Sequence, residues 1–513
     1  MQNAVSMFTT ASLGIVDFRK APVKSTIILP GTKEIPDRKY AFNHLKQVNI
    51  PNSVTIIGKA AFAFNELSSV TLSTSLTTIG EAAFMGNKLN EVNLPISLND
   101  INMRAFTGNE LSNVVIPNSV TYIGNFAFAM NKIDTIRLPV SLSVIGDWAF
   151  AGNQLQAVTI QEGTTSIGEG AFAANKITEL KLPQSAIEIK GAAFAKNNLQ
   201  KVTLPNNIKI IGAKLLMQNQ LSEIIIPKQV TSINEGAFAE NKLTKLQVPE
   251  YVTLIGNKAF ANNLITETTL SKRLRTLGDG AFLNNRLTEI KLPPDLVNLG
   301  ASTFENNPLP KIILPSRVRS VPSKCFYKNK LSTVSMSNSM VSYIGSYAFA
   351  DNFLQTVSIP AYVKRIEQSA FENNKLTTVR FLTGILRNID DYAFAHNQIK
   401  LIYIPTSCSI IGKSAFEDNK LERVILSPSL RTIGDRAFAA NLITALNVPD
   451  YIKTIGEAAF EGNEITSITI SRNRAFPSSA FGIHGESFHD FYVNNLRKAG
   501  RYRYVEQAWR YRP

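Results

Sequence analysis

The chain has 513 residues, 44% of them hydrophobic and 18% charged, a composition far from that of a disordered polymer. It contains no run of 18 or more apolar residues, which excludes a helix spanning a membrane. Lys and Arg outnumber Asp and Glu by 54 to 39, and the net charge of +15 points either to acidic partners or to a soluble basic protein that has none.

In chain order, Met1 to Val16 is mildly apolar but lacks the basic leader and cleavage site of an export signal. Residues 1–24 are expected to form an N-terminal cap. A degenerate first rung follows, with Ile27 to Pro30, Ile35-Pro36 and Ala41-Phe42. It reads as two residues short before the rhythm settles at Val48. From Asn65 one 22-residue pattern recurs, anchored by Asn87, Asn109, Asn131, Asn153, Asn175, Asn197, Asn219, Asn241, Asn263, Asn285, Asn307 and Asn329. Single extra residues shift the anchor to Asn352 and Asn374, and then to Asn397, Asn419, Asn441 and Asn463. Length alone suggests several domains. A fixed period instead predicts one repeat solenoid over 25–470, with about twenty rungs.

Within each rung, L-x-x-V-x-I ends in a period-2 alternation that predicts a short, predominantly β piece. Val70 and Leu72 are expected to face inward, Ser69 and Thr71 outward. Successive strands return after a full coil and so lie parallel and in register. Pro95, Pro117, Pro139 and Pro183 lack a donor and end the ladder. A second extended piece, S-V-T-x-I-G, closes on Gly58, Gly80, Gly124, Gly146 and Gly168, where a positive φ or a close backbone approach is expected. Asn102 and Asn234 at this column suit a left-handed residue; Lys190, Pro322, Glu367 and Asp390 do not. The Ala-Phe pair, from Ala61-Phe62 to Ala459-Phe460, predicts a short helical or 3₁₀ turn and an aromatic spine, with Leu216 in the column once. The anchor Asn is expected to hold backbone groups of its own and neighbouring rungs.

After Ile470 the pattern decays, and 471–513 reads as a basic, aromatic C-terminal cap. Glu486 to Lys498 places Phe488, Phe491, Tyr492 and Leu496 on one helical face, with Gly500 as the stop. Arg501 to Val505 then alternates Arg and Tyr, and Trp509 and Tyr511 follow. Arg497, Lys498, Arg501, Arg503, Arg510 and Arg512 make this tail basic.

Little points to catalysis or to a cofactor. His44, His396, His484 and His489 are scattered, and no nucleophile elbow, zinc-protease, phosphate-loop or C-x-x-C motif occurs. Cys325 and Cys408 stand four rungs apart, roughly 19 Å at the usual strand spacing, too far for a disulfide; both read as small core residues. The informative positions are those the scaffold leaves free. One outward column contains Arg137, Lys181, Lys291 and Arg380, interrupted by Val115, Ile225, Ile313, Tyr403 and Ile425, and it has no acidic residue. The adjacent column mixes Glu91, Glu179, Glu223, Glu267 and Glu289 with Lys201, Lys245, Lys311 and Arg423. A third, after each anchor Asn, forms a rim of Lys88, Lys132, Lys176, Lys242, Arg286, Lys330, Lys375 and Lys420, broken by Glu66, Glu110 and Glu464. Such a rim suits an extended polyanion, or serves solubility and discourages edge association.

The rung Leu111 to Asn131, L-S-N-V-V-I-P-N-S-V-T-Y-I-G-N-F-A-F-A-M-N, resembles the BspA-like leucine-rich repeat first recognised in bacterial surface antigens. The resemblance covers about 25–470 and implies a curved solenoid with a parallel sheet on its concave face and short β or 3₁₀ pieces on its convex face. It further implies a cell-surface or secreted adhesion or binding protein without catalytic residues. Three functions follow as expectations. The first is a non-enzymatic module that presents the outward column to a protein ligand. The second is a binder of acidic polysaccharide, or less favourably nucleic acid, through the rim and the Arg/Tyr tail. The third is a structural subunit that self-associates.

Overall fold

The structure, a computed structural model, describes residues 27–336, 339–382, 384–472, 474–481 and 485–513. The expected cap at 1–24 and His484 lie outside them. Two compact units divide the chain, one ending at Asn207 and one running from Ile208 to Pro513, and each is a parallel β-solenoid.

In the first unit, two-residue strands build a three-stranded sheet from Glu34–Ile35 through Ile56–Ile57 to Thr78–Ile79, and a five-stranded one from Asp100–Ile101 to Glu188–Ile189. Partners stand 22 residues apart, as in Ile35↔Ile57 and Ile57↔Ile79. Three-residue strands pair on another side: Gln47–Asn49 with Ser69–Thr71, Asn113–Val115 with Thr135–Arg137, and Ala157–Thr159 with Glu179–Lys181. The second unit repeats this plan, with a five-stranded sheet from Ile210–Ile211 to Asn298–Leu299 and a seven-stranded one from Ser320–Val321 to Thr454–Ile455. The strands are parallel because a chain that coils at constant period must return in the same direction. The expected alternation holds with one adjustment: Ser69 and Thr71 are exposed, but Val70 and Leu72 are only half-buried.

The aromatic spine runs inside both units. Phe62, Phe84, Phe106, Phe128, Phe150, Phe172 and Phe194 stack at 5.3–5.6 Å between centroids. In the second unit the stack runs from Phe238 to Phe481, with Leu216 buried in the same column. Beside it, each anchor Asn spends its whole side chain on backbone. Asn285 Oδ1 accepts the Ile265 N–H at 3.0 Å, and its Nδ2 donates to the carbonyls of Phe260 at 2.9 Å and Phe282 at 3.2 Å. Phe260 O also accepts from Asn263, so this spine carbonyl holds two amides and fastens two rungs, as does Phe282 O with Asn285 and Asn307. Cys325 and Cys408 are free and buried, and burial drives both thiols up, Cys408 to about 12.

Two local expectations fail, and at the glycine column one of the two expected reasons is the operative one. The Ala-Phe segment is not helical but a pair of tight turns (Ala61 N–H to Gly58 O, Ala63 N–H to Ala60 O) whose remaining donors reach the next rung: Ala60 to Glu81 O, Phe62 to Ala83 O and Phe64 to Met85 O. The glycine column is not left-handed; a Cβ on Gly80 would lie 2.6 Å from the Gly58 carbonyl carbon, so close approach between rungs is its reason. Positive φ falls two residues later, at Ala60, Ala82, Arg104, Phe126 and Trp148, and again just before the anchor, at Phe64, Met130 and Ala174. Asn102 and Asn234, at the glycine column, therefore do not adopt it. Finally, the first rung is not short. Tyr40, rather than Phe42, stacks on Phe62 at 5.3 Å, and Asn43 holds the anchor column, donating its N–H to Asn65 Oδ1. A displaced Ala-Phe, now stacked on Phe64, concealed the register.

Both single-residue insertions enter at one corner. Ile312↔Val334 keeps the 22-residue offset, whereas Ser320↔Tyr343 has 23, so the first insertion lies between Ser335 and Tyr343. Val357↔Val379 has 22 and Arg365↔Asn388 has 23, placing the second between Phe381 and Asn388.

The chain after Ile470 supplies a helix, Gly485–Asn494, and an antiparallel hairpin of Gly500–Val505 and Ala508–Arg512. The hairpin adds to Ser467–Ile470, making a four-stranded sheet with Ala445–Val448. Phe488, Tyr492, Tyr502 and Trp509 pack together and are buried. Leu496 leaves the expected helical face: it lies past the helix end, left-handed and 75% exposed. Among the described residues no helix is long and apolar enough to cross a membrane.

Candidate ligand face

The outward column of the three-residue strands follows from the pleat: inward neighbours enter the core, so alternate side chains stand clear of it. In the first unit Val115 lies opposite Arg137, and Thr159 opposite Lys181. Arg137 and Lys181 are exposed, and Val115 is 59% exposed. In the second unit Ile313 pairs with Ser335, Ser358 with Arg380 and Tyr403 with Ile425. Ile225 (85%), Ile313 (68%) and Tyr403 (59%) expose most of their apolar surface, and Ile425 is half-buried. Ile225 and Lys291 sit in segments without an assigned strand. A groove of about 680 Å³ opens on this face in the first unit, between Glu91, Asn93, Ile96, Asn113, Val115 and Pro117.

Charges on the adjacent column cancel by contact. Lys245 Nζ lies 2.6 Å from Glu267 Oε1, and this hydrogen bond holds the lysine above its usual range. The rim is also partly neutralised. Lys88 reaches Glu66 at 3.5 Å, Lys132 reaches Glu110 at 2.8 Å, and Lys176 donates to Gln154 at 3.1 Å. The His44 hydrogen bond, then Lys88, hold Glu66 below the usual carboxylate range; Lys132 does the same to Glu110. Opposite charges 22 residues apart were the sequence signal for these pairs. In the second unit the rim alternates cations with other residues: Lys375 lies over the Phe353 ring at 4.8 Å, and Lys242 and Lys420 are exposed. Arg286, Lys328 and Lys330 border a groove of about 410 Å³ with Leu264, Asn284 and Asn306.

The tail is where the sequence reading missed most. Cross-strand register places Arg501 opposite Arg512 and Arg503 opposite Arg510, with Thr469 and Ser467 next in those rows, then Asn447 and Ala445. Arg501 and Arg512 thus continue the outward column, and Arg503 and Arg510 the adjacent column, instead of forming a separate appendage; Arg497 and Lys498 lie before the hairpin, outside both rows. Among the described residues no group of three or more His, Cys, Asp or Glu comes together to hold a metal ion. His44 and His396 contact Glu66 and Asp418 of the following rungs.

The profile of the BspA type leucine rich repeat region matches residues 33–156, 145–266, 253–377 and 387–498. Among solved structures, a leucine-rich repeat protein from Bacteroides ovatus is 23% identical, with 70% of this chain and 82% of that one covered and a TM-score of 0.44. YopM from Yersinia enterocolitica is 20% identical over 85% of this chain and 90% of its own, with a TM-score of 0.43. A leucine rich cell surface protein from Faecalibacterium prausnitzii is 21% identical over 71% and 86%, with a TM-score of 0.35. A comparison with curated proteins finds no match.

Proposed function

Because the chain belongs to the BspA-type leucine-rich repeat family, we propose that it is a non-enzymatic binding module that presents the outward column of its three-residue strands to a protein ligand. A repeat scaffold of this family serves as an interaction surface, since each rung offers side chains at fixed positions that the fold itself does not use. The observation that carries the reading is apolar exposure in that one column. Ile225, Ile313 and Tyr403 contribute nothing to the core, yet keep large apolar surfaces in water. These apolar side chains recur every fourth rung along the column, with Lys291 and Arg380 between them, and exposed apolar and aromatic anchors among basic residues suit a protein-binding surface. A surface or secreted location and an adhesive role fit this reading.

The test is biolayer interferometry against a panel of purified extracellular-matrix proteins. Replacing Ile225, Ile313 and Tyr403 together with Ser should weaken a binder about a hundredfold, as expected for loss of apolar anchors, with unchanged melting. Absence of binding across the panel, or binding indifferent to the triple variant, would refute the proposal. Self-association is distinguished by a mass that rises with concentration.

A further inference from the structure

We propose that the arginine face of the C-terminal hairpin, together with the last rungs that continue it, binds a sulfated or uronic-acid polysaccharide. This goes beyond the protein-ligand reading, since it assigns a different ligand class to a site centred on the hairpin, which adjoins the protein-binding column at Tyr403.

The register makes the case. Arg501 faces Arg512 and Arg503 faces Arg510, so two like-charged pairs stand directly across antiparallel strands, an arrangement that works against folding. Closing the solenoid does not require it, because the capping contacts are made by the opposite face, through Tyr502 and Trp509. Internal compensation is slight. Glu506 pairs with Arg510, and Arg501 Nε donates to Ser467 Oγ at 3.1 Å. Among the described residues no carboxylate pairs with Arg503, Arg512 or Arg423. An external anion supplies what the fold does not.

The surroundings favour a sugar polymer. Beside the arginines the sheet surface carries only Ala445, Asn447, Ser467 and Thr469, short side chains that leave a low floor. Three of the four offer hydroxyl or amide groups suited to sugar hydroxyls. Guanidinium groups bind sulfate or carboxylate through two parallel hydrogen bonds, which lysines on a rim do not. The same column leads back to Ile425 and then Tyr403, whose exposed ring offers a face to a pyranose. Strands are about 4.8 Å apart, so a chain of sugars laid across them meets about one rung per ring. Single-stranded nucleic acid fits less well, because the hairpin's buried aromatics, Tyr502 and Trp509, are turned away from the arginines and give bases no platform.

The experiment is fluorescence anisotropy of a labelled heparin hexasaccharide titrated with the full chain over a salt series. Affinity should fall steeply with salt. R501Q/R503Q/R510Q/R512Q should weaken binding by about tenfold or more for each guanidinium that holds the sugar in the parent. R503Q alone is the fallback if the quadruple variant melts early. K242E/R286E/K330E should bind within about twofold of the parent, because its charges lie on the rim and touch nothing in the hairpin. The proposal is overturned by no binding at near-physiological salt, by a hairpin variant that binds like the parent, or by loss of binding in the rim variant alone. It is equally overturned if polyglutamate or oligothymidylate of matched charge competes as well as unlabelled heparin, which would transfer the site to an acidic peptide or to nucleic acid.

Discussion

Asn285→Ala tests what binds one rung to the next. In the parent, Asn285 is 6% exposed, and its amide fastens Ile265 N–H, Phe260 O and Phe282 O. Truncation does not orphan the two carbonyls, since Phe260 O keeps Asn263 and Phe282 O keeps Asn307. Only the Ile265 N–H loses its partner, at about 1–3 kcal/mol for a buried unsatisfied donor, and the two other bonds lose about 0.5–1.5 kcal/mol each. The sum is roughly 2–6 kcal/mol, concentrated locally because a solenoid's stability is a nearest-neighbour sum. Urea denaturation measures the total, and hydrogen exchange at Ile265 measures the local part. Asn285→Asp sharpens the test. Its carboxylate still accepts from Ile265 but turns a second anionic oxygen toward two carbonyls, so its folded pKa must rise. The stability it retains is present below its unfolded value, about 3.9, and is lost as pH rises through the folded one. N285D should therefore approach the parent as pH falls toward 4. A loss below about 1 kcal/mol in N285A, or a pH-independent deficit in N285D, would refute the two-carbonyl account.

Phe260→Ala, between ring neighbours at 5.3 and 5.5 Å, should cost about 3–5 kcal/mol by thermal melt; a negligible change would contradict the spine. Gly170→Ala should cost about 1–3 kcal/mol because the new Cβ would lie 2.5 Å from the Trp148 ring. Since Ala192 tolerates the same left-handed φ one rung later, W148A/G170A should melt no lower than W148A, and a further drop would assign the cost to backbone strain. The Tyr343 and Tyr502 phenols are both raised from 10.0 to about 12, chiefly by burial. Their contribution is intact below pH 10 and is lost as pH rises toward 12. An alkaline melting series should show this loss, and Y343F/Y502F should flatten it.

What was legible in the sequence was whatever each rung repeats in chemistry. The Phe and Asn columns announce spine and backbone clamp because few other residues do those jobs. The left-handed columns have no such signature, holding Ala60, Arg104, Phe126, Trp148 and Lys214 alike. Their conformation is imposed by donors reaching the next rung, such as Lys214 N–H to Glu235 O, which no single rung reveals. The hairpin escaped for a similar reason: its turn residues, Glu506 and Gln507, adopt φ of 51° and 63° without the Gly or Asn that usually marks such a turn. Its partner is a repeat strand, so the added sheet pairing lay hidden in the alternation of Arg and Tyr. The outward columns were readable as exposed positions, whereas their ligand is not encoded by periodicity.

The corner that takes both extra residues separates length from register. Between Ser335 and Tyr343, and again between Phe381 and Asn388, the path lengthens while Phe326 still stacks on Phe349 at 5.4 Å and Phe371 on Phe394 at 5.2 Å. Lengthening a loop costs little, about 0.6 kcal/mol per doubling. This corner is therefore a splice port: a peptide tag, an epitope or an entire small domain grafted there adds cargo to the solenoid without asking any rung to re-register.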